Sequence, residues 1–153
     1  MAEYLFNGEQ NLSLNQAAIF ENSIPCNRGY VLHENESGIF TLRGIVRNPS
    51  ACFARYEVTY NGNIALPEGA TTVTPIAVAL AVQGEARPTS RAIFTPAAVE
   101  QYGNVTSTAT VTVPRGCCFT VSLRAVPGSD DPTVTPAPVI SLINSNIRIV
   151  RTA

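Results

Sequence analysis

The sequence predicts an all-β protein, an antiparallel β-sandwich of the jelly-roll type with about 8–10 strands. Short alternating or β-branched apolar segments recur along the 153 residues, and Gly, Pro or Asn turns separate them. The only helix-like stretch is residues 96–101, with Thr95 as a cap, and it is long enough for one turn at most. The length suits one domain with a sizeable core.

An early segment, residues 37–44 (SGIFTLRG), follows a polar loop over residues 34–38. Its pattern predicts a turn that enters a strand over residues 39–46. A glycine inside a strand marks a bend or a place where another backbone comes close. Gly44 is therefore expected to serve one of these two purposes.

Three later segments have the clearest strand patterns. Residues 53–60 alternate between two faces. Residues 72–82 are a continuous β-branched and small apolar run, which predicts a strand buried on both faces. Residues 105–113 alternate small or apolar side chains with threonine, as an antiparallel sheet with one solvated side requires. Weaker patterns predict strands at residues 13–20, 30–33, 91–95, 117–125, 139–143 and 147–151.

The N-terminal residues have no clear period, and a small apolar group, Tyr4, Leu5 and Phe6, precedes a turn dipeptide. Two interpretations remain open for this segment. It is a frayed terminus, or it is an arm that docks on a partner through these three side chains. We divide the chain accordingly into an arm or docking segment, residues 1–14, and a single jelly-roll domain, residues 15–153.

The chain is 45% hydrophobic and only 14% charged, whereas about 25% charged residues is typical of soluble domains. So little charge favours a surface that is partly covered by other subunits. All ten basic residues are arginine. Arginine suits interface pairing better than lysine does, although drift in codon usage explains this bias equally well.

Basic and acidic residues are spread evenly along the sequence, and the formal net charge is −1. This pattern argues against partners such as nucleic acid or a membrane surface. No stretch reaches the roughly 18 apolar residues of a membrane span. The first four residues lack the positive region and apolar core of a signal peptide, so we expect assembly in a cytoplasm.

Four cysteines are present: Cys26, Cys52, Cys117 and Cys118. Neighbouring cysteines in a strand point to opposite faces, so a bond between the last two would be strained. The sequence favours buried, small hydrophobic cysteines. A Cys26–Cys52 bridge or a metal site remains an alternative, although zinc usually takes paired cysteine spacings together with histidine.

No catalytic constellation is recognisable, and we expect neither an enzyme nor a cofactor or metal. His33 is the only histidine and is expected to be a half-exposed strand residue. Glu57 and Glu85 are a conceivable carboxylate pair for glycoside cleavage, but nothing in the sequence fixes their separation. Residues 128–131 (GSDD) offer carboxylates without the alternating oxygen ligands of a calcium loop, and a solvated turn is the favoured interpretation.

The order of these segments resembles the trimeric jelly rolls of the tumour necrosis factor and complement globular-head superfamily. Residues 37–44 resemble the family's G-x-F-T-x-P-x-x-G segment, and residues 56–60 (YEVTY) are placed like its next, aromatic strand. Residues 77–84 resemble an apolar strand that ends in Asn-Gly. Residues 111–121 resemble its hairpin, and residues 145–150 are placed like its closing strand.

The resemblance covers roughly residues 13–153, with departures. Leu42 replaces the family's proline, Cys117 replaces its aspartate, and the last strand lacks the aromatic residues common there. The resemblance implies a homotrimer with a threefold contact between inner sheets. It also implies that three aromatic residues could stack at the threefold axis: Tyr56, Tyr60 and Phe119. An ordinary place in the core explains these three residues equally well.

Two further segments, residues 25–31 (PCNRGYV) and residues 113–118 (VPRGCC), resemble small single-domain structural proteins of Firmicutes phages and prophages. This resemblance implies a non-enzymatic head decoration or fibre at the virion surface, docked on the capsid or neck. Its loops, including residues 67–69 and 128–132, would face solvent and could contact host surface glycans. The alternatives are a bacterial surface or spore-coat adhesin domain, or a carbohydrate-binding module.

Overall fold

The structure is a computed structural model that describes residues 2–24 and 29–152, with Ile24 described through its backbone alone. It confirms the antiparallel β-sandwich. The described residues contain twelve strands: β1 (Ala2–Phe6), β2 (Gln10–Ser13), β3 (Glu21–Ile24), β4 (Val31–Leu32), β5 (Phe40–Arg43), β6 (Phe53–Ala65), β7 (Ile76–Val82), β8 (Glu85–Ala86), β9 (Ala92–Phe94), β10 (Gly103–Pro114), β11 (Cys118–Pro127) and β12 (Val139–Arg151).

The strands form two sheets that enclose one main core. Sheet I has the order β10-β6-β12-β1-β3, with β2 also paired to β12. Sheet II has the order β4-β5-β11-β7-β8, with β9 also paired to β7. Several chain neighbours, such as β5 and β6 or β10 and β11, lie in opposite sheets. The chain therefore crosses repeatedly between the sheets, as jelly-roll connections do.

The alternating patterns place the core as the sequence predicts. On β6 the residues Ala54, Tyr56, Val58 and Tyr60 are fully buried. On β10 the threonines point outward while the intervening residues point inward. Strand β7 is buried along its whole length and so on both faces, but it begins at Ile76 and not at residue 72.

Residues 2–6 form a strand and not an arm. Strand β1 lies inside sheet I, between β12 and β3, and pairs with β12 from Ala2↔Ile149 to Phe6↔Ser145. Tyr4 is 1% exposed. The predicted boundary at residue 14 is therefore wrong, because β1 and β2 both contribute to the same sheet as β12. The alternation over five residues was too short to stand out in the sequence.

Other predicted elements shift in detail. Residues 13–20 are not one strand; β2 ends at Ser13, and the backbones of Asn15 and Ala18 then donate hydrogen bonds to Ala125 O and Leu123 O. Residues 96–101 form turns, and the short 3₁₀ turn lies instead at Pro88–Ser90. The last two predicted strands are one strand, β12, with a register shift between Ile143 and Asn146.

The close approach at Gly44 is confirmed. A Cβ atom at this position would overlap the backbone carbonyl of Pro114. Gly44 N donates to Cys117 O at 2.8 Å, and Gly116 N donates to Gly44 O at 3.0 Å. The glycine therefore lets the segment after β5 lie directly against the β10–β11 turn. Among the described residues, no helix has the length and apolar character needed to span a membrane.

Candidate functional site: the exposed face of sheet I

The outward face of sheet I is a polar surface. It contains a shallow depression of about 360 Å³, lined by residues from β6, β10 and β12: Glu57, Thr59, Asn61, Thr106, Asn146, Arg148 and Val150. These side chains point outward because their neighbours in each strand point into the core. The face is thus a consequence of the period-2 pattern that fills the core.

Charges of opposite sign lie side by side on this face. Arg148 on β12 lies directly opposite Glu3 on β1 and Thr59 on β6. Glu57 faces Val150, one outward position farther along β12. Asn146 Nδ2 donates to Glu3 Oε1 at 2.7 Å. The face therefore offers hydrogen-bond donors and acceptors, with no nucleophile beside a general base.

A row of threonines extends the face toward the sheet edge. The row is formed by the exposed side chains of β10, namely Thr106, Thr108, Thr110 and Thr112. Thr106 Oγ1 lies 3.4 Å from Asn61 Oδ1 on the neighbouring strand. The sequence indicated this row, because threonine recurs at every second position.

Tyr56 and Tyr60 do not lie on this face. Both are fully buried inside the sandwich. Tyr56 Oη donates to Arg43 O at 2.6 Å and lies 3.3 Å from Tyr30 O. These contacts link sheet I to the side of sheet II that contains β4 and β5. Burial raises the pKa of Tyr60 to about 12, and the hydrogen bond with Ser145 partly opposes this shift.

Phe119 lies on β11 in the other sheet, opposite Leu42, and packs half-buried against the core. The structure therefore does not bring Tyr56, Tyr60 and Phe119 together on one surface. The prediction that these rings stack at a threefold axis is wrong for Tyr56 and Tyr60, and their interpretation as core residues is confirmed, because alternation turns both toward the core of their own chain. For Phe119, which is half-buried, an interface role stays a prediction.

Tyr4 is also a core residue. Its ring centroid lies 4.7 Å from that of His33 and 4.7 Å from that of Phe40. Leu5 and Phe6 are half-buried. Tyr4 is therefore not available as a docking side chain. The prediction of a docking role for Tyr4 is wrong, because its ring packs in the core.

His33 follows β4 and joins the two sheets. Its ring stacks on Phe40 with centroids 4.3 Å apart, Nδ1 lies 2.7 Å from Asn22 Oδ1, and Nε2 lies 2.8 Å from Ser37 O. Burial lowers the pKa of His33, while the Ser37 carbonyl and the charge of Glu34 act in the opposite direction. Because both ring nitrogens lie within hydrogen-bonding distance of a partner and the ring packs on Phe40, His33 connects the two sheets.

A second depression lies between two loops at one end of the sandwich. It measures about 500 Å³ and is lined by parts of residues 66–74 and 135–139, together with Asn11. Asn11 Oδ1 accepts a hydrogen bond from Ser141 Oγ at 2.6 Å. The sequence indicated residues 67–69 as an exposed loop, but only the tertiary structure brings residues 135–139 beside it.

The cysteines differ from expectation. Cys52, Cys117 and Cys118 are free and exposed, so the prediction of buried cysteines is wrong for these three. They lie in or beside turns, where no second layer covers them. Cys26 lies outside the described residues, so a Cys26–Cys52 bridge is not tested. In the described part of the chain no group of three or more His, Cys, Asp or Glu side chains is arranged to hold a metal ion.

No protein-family model matches the sequence, and no curated protein sequence matches it either. Solved structures do. The globular domain of zebrafish complement 1qA protein has a TM-score of 0.55 at 12% identity, over 97% of this chain and 96% of that one. Murine APRIL has a TM-score of 0.53 at 10% identity, over 96% of this chain and 98% of that one.

These likenesses establish a shared fold. The chain has the jelly roll of tumour necrosis factor and complement globular-head domains. At such low identity the likeness describes architecture alone, because one fold supports many unrelated functions. Function has to be argued from the surfaces of this chain.

Proposed function

We propose that the chain is a non-enzymatic structural or surface protein of a bacteriophage particle, a head decoration or fibre, that acts as a homotrimer. The observation that carries the proposal is the outward face of sheet I on a rigid jelly roll. This face is broad and polar, and it presents carboxylate, amide and guanidinium groups within a few residues of one another. The resemblance implies that such a sheet forms the threefold contact.

The trimer contact would differ from the aromatic one that the sequence first favoured. Glu57 and Arg148 are both exposed in the single chain. In a threefold arrangement, Arg148 of one copy can pair with Glu57 or Glu3 of the next. Contacts of this kind are polar and hydrated, and they give specificity more than affinity.

Attachment to the particle and a place on the virion surface rest on the resemblance of residues 25–31 and 113–118 to phage structural proteins. Because β1 is built into sheet I, attachment would use loops at an end of the sandwich and not a free N-terminal arm. We propose assembly in the bacterial host cytoplasm.

Light scattering of the purified chain tests the trimer. We expect a mass three times that of the 16.3 kDa chain, and a shift to monomer in Arg148→Glu. The control is Thr89→Glu, which adds negative charge on the exposed 3₁₀ turn. This turn contacts β10 through the inward-facing Ser107 and does not lie on the outward face of sheet I. A stable monomer at micromolar concentration contradicts the trimer. Absence of the chain from purified particles of the parent phage contradicts the virion assignment separately.

A second candidate function is binding of a carbohydrate, which the 500 Å³ depression between residues 66–74 and 135–139 favours. Its volume lies in the range of small-molecule sites, and its lining combines prolines with threonine hydroxyls. Glycan-array binding that is lost in Thr135→Arg would support this function. Absence of binding to any glycan would contradict it.

A further inference from the structure

Ten of the 21 charged residues are sorted by sign between the two ends of the sandwich, although charges of both signs are spread evenly along the sequence. We define the basic end by the arginines near residues 44–52 and 114–117, which are Arg43, Arg47, Arg55, Arg115 and Arg151. We define the acidic end by the carboxylates of four loops at the opposite end, which are Glu9, Glu68, Glu100, Asp130 and Asp131. The even distribution inferred from the sequence does not describe the surface.

Pairing and hydrogen bonds bring the basic end together. Arg43 lies opposite Cys118 in the β5–β11 pair. Arg115 N donates to Cys52 O at 2.9 Å, and its guanidinium donates to Pro49 O at 2.8 Å. These contacts join the segment after β5, the start of β6 and the β10–β11 turn. Residues 44–52 and 113–119 contain no Asp or Glu.

Two of the remaining three arginines of this end are placed against aromatic rings. The Arg151 guanidinium lies 4.2 Å from the centroid of Tyr30, and that of Arg55 lies 5.2 Å from the centroid of Phe53. Arg55 O accepts a hydrogen bond from the backbone of Thr152 at 2.9 Å, so the end of β12 and the start of β6 are adjacent. Stacking fixes the positions of these cations.

The basic end also has an apolar groove. Its volume is about 570 Å³, and its walls include Tyr30, Val46, Phe53, Arg47 and Arg151. Phe53 is 40% exposed. This surface therefore suits a partner that presents carboxylates together with apolar side chains.

The acidic end presents that combination. Glu100 N donates to Leu66 O at 2.9 Å, which holds the 95–102 loop against the loop that contains Glu68. The pKa of Tyr102 is raised by burial and then by the charges of Glu9 and Glu100, so these carboxylates lie near its ring. Tyr102 is 38% exposed.

The other carboxylates of the acidic end follow β11. Asp130 binds Arg91 through both oxygens, at 2.9 and 3.0 Å, so the charge of Asp130 is compensated within the chain. Asp131 follows it in the same exposed loop and has no such ion pair among the described residues. The four loops, residues 7–9, 66–75, 95–102 and 128–138, contain no arginine. Val73, 47% exposed, adds apolar surface within them.

We propose that the basic end of one copy binds the acidic end of a second copy, head to tail. Each end combines exposed apolar side chains with charges opposite to those of the other end. Because the two surfaces are different, a pair of bound copies still has one free basic end and one free acidic end. Further copies can bind at these ends, and the contact propagates into columns of copies. The contact uses the two ends of the sandwich and reaches the outward face of sheet I only at its margin, through Phe53 and Arg55. It therefore leaves Glu57 and Arg148, the residues of the proposed trimer contact, free to pair.

Salt is the first test, because exposed charge pairs are screened at high ionic strength. We expect the weight-average mass from analytical ultracentrifugation to rise with protein concentration in about 20 mM salt, and the association constant to fall at least about tenfold in about 500 mM salt. The proposed trimer contact also contains exposed charge pairs, so Arg148→Glu, which disrupts that contact, is measured in parallel and should keep the salt-dependent association. A mass that does not change with salt overturns the proposal.

Charge reversal provides the sharper test. One variant, Arg47→Glu with Arg115→Glu, lowers the formal charge of the basic end from +5 to +1 and leaves the acidic end intact. A second variant, Glu9→Arg with Glu68→Arg, changes the acidic end from −5 to −1 and leaves the basic end intact. All four side chains are exposed. Each variant alone is expected to lose the salt-dependent association, and a one-to-one mixture is expected to regain it, since opposite ends are again available. Circular dichroism and melting temperature confirm that both variants fold.

The matched control is Glu21→Arg with Glu85→Arg, which reverses two exposed carboxylates away from the acidic-end loops. It should associate like the wild type. Association that survives both end variants, or a mixture that stays dissociated, overturns the head-to-tail contact. Wild-type chain that stays dissociated in low salt but binds polyglutamate through Arg47 and Arg115 also overturns it, and assigns the basic end to another acidic protein.

Discussion

Tyr60 and Ser145 meet in the closed interior of the sandwich, with Oη and Oγ 3.3 Å apart. The contact joins β6 to β12 beside the register shift between Ile143 and Asn146. Gly62 lies next to the same hydroxyl, and a Cβ there would overlap Tyr60 Oη. One tyrosine hydroxyl thus occupies the space that a side chain at Gly62 would need and supports the irregular part of β12.

This arrangement predicts that Tyr60→Phe and Gly62→Ala are coupled. Tyr60→Phe should lower the free energy of unfolding by about 1 kcal/mol, because Ser145 Oγ loses its buried partner. Gly62→Ala should lower it by about 1–3 kcal/mol through overpacking. The penalty of Gly62→Ala should be smaller in the Tyr60→Phe background, since the overlapping oxygen is gone. Urea unfolding of the four proteins measures the coupling, and additive effects would contradict it.

Strand β1 leads to a prediction about the N-terminus. Tyr4→Ala should lower the free energy of unfolding by about 3–5 kcal/mol, because a buried ring packed on His33 and Phe40 is removed. Leu5→Ala, at the half-buried neighbouring position, is the control and should lower the free energy of unfolding by less than Tyr4→Ala does. Denaturant unfolding measures both variants. Unchanged stability in Tyr4→Ala would restore the interpretation of a docking arm.

His33 makes stability depend on pH. Burial places the pKa of the folded state below the ordinary value of 6.5. The unfolded chain therefore binds the proton more readily, and stability should be full above the unfolded pKa and decrease as pH falls below it. Glu34 opposes this shift, and the facing groups Tyr4, Phe40 and Asn22 are uncharged at these pH values.

The measurement is unfolding free energy between about pH 5 and pH 8, where histidine titrates. His33→Gln should flatten the slope over this range while the carboxylates continue to titrate at lower pH. A histidine pKa above 6.5 in the folded chain, observed by NMR, would reverse the predicted sign.

Exposure of three cysteines leads to a chemical prediction. Cys52, Cys117 and Cys118 should react with a thiol reagent in the native chain without a denaturant. Substitution of these three cysteines by serine should abolish the rapid reaction with the reagent. The unfolding free energy should stay within about 0.5 kcal/mol of the wild-type value, as expected for surface positions. A reaction that requires unfolding would show that these thiols are buried in solution.

The fold class could be predicted because period-2 patterns and turn residues are local. The alternation on β10 and the double burial of β7 follow from neighbouring residues. A glycine in a strand pattern indicated a close approach at Gly44, although the sequence did not show that the β10–β11 turn is its partner. Of the candidate site, the threonine row could be predicted for the same reason. The aromatic side chains could not be assigned, because an alternating strand shows which residues share a face but not whether that face is the core.

The sequence by itself determined a low-charge, all-β chain with alternating strands and no recognisable catalytic set. The tertiary structure decided which surfaces and contacts segments distant in sequence form together. It built residues 2–6 into sheet I, turned Tyr56 and Tyr60 inward, and exposed three cysteines in turns. It also gathered arginines at one end and carboxylates at the other, because jelly-roll crossings bring loops far apart in sequence to a common end of the sandwich.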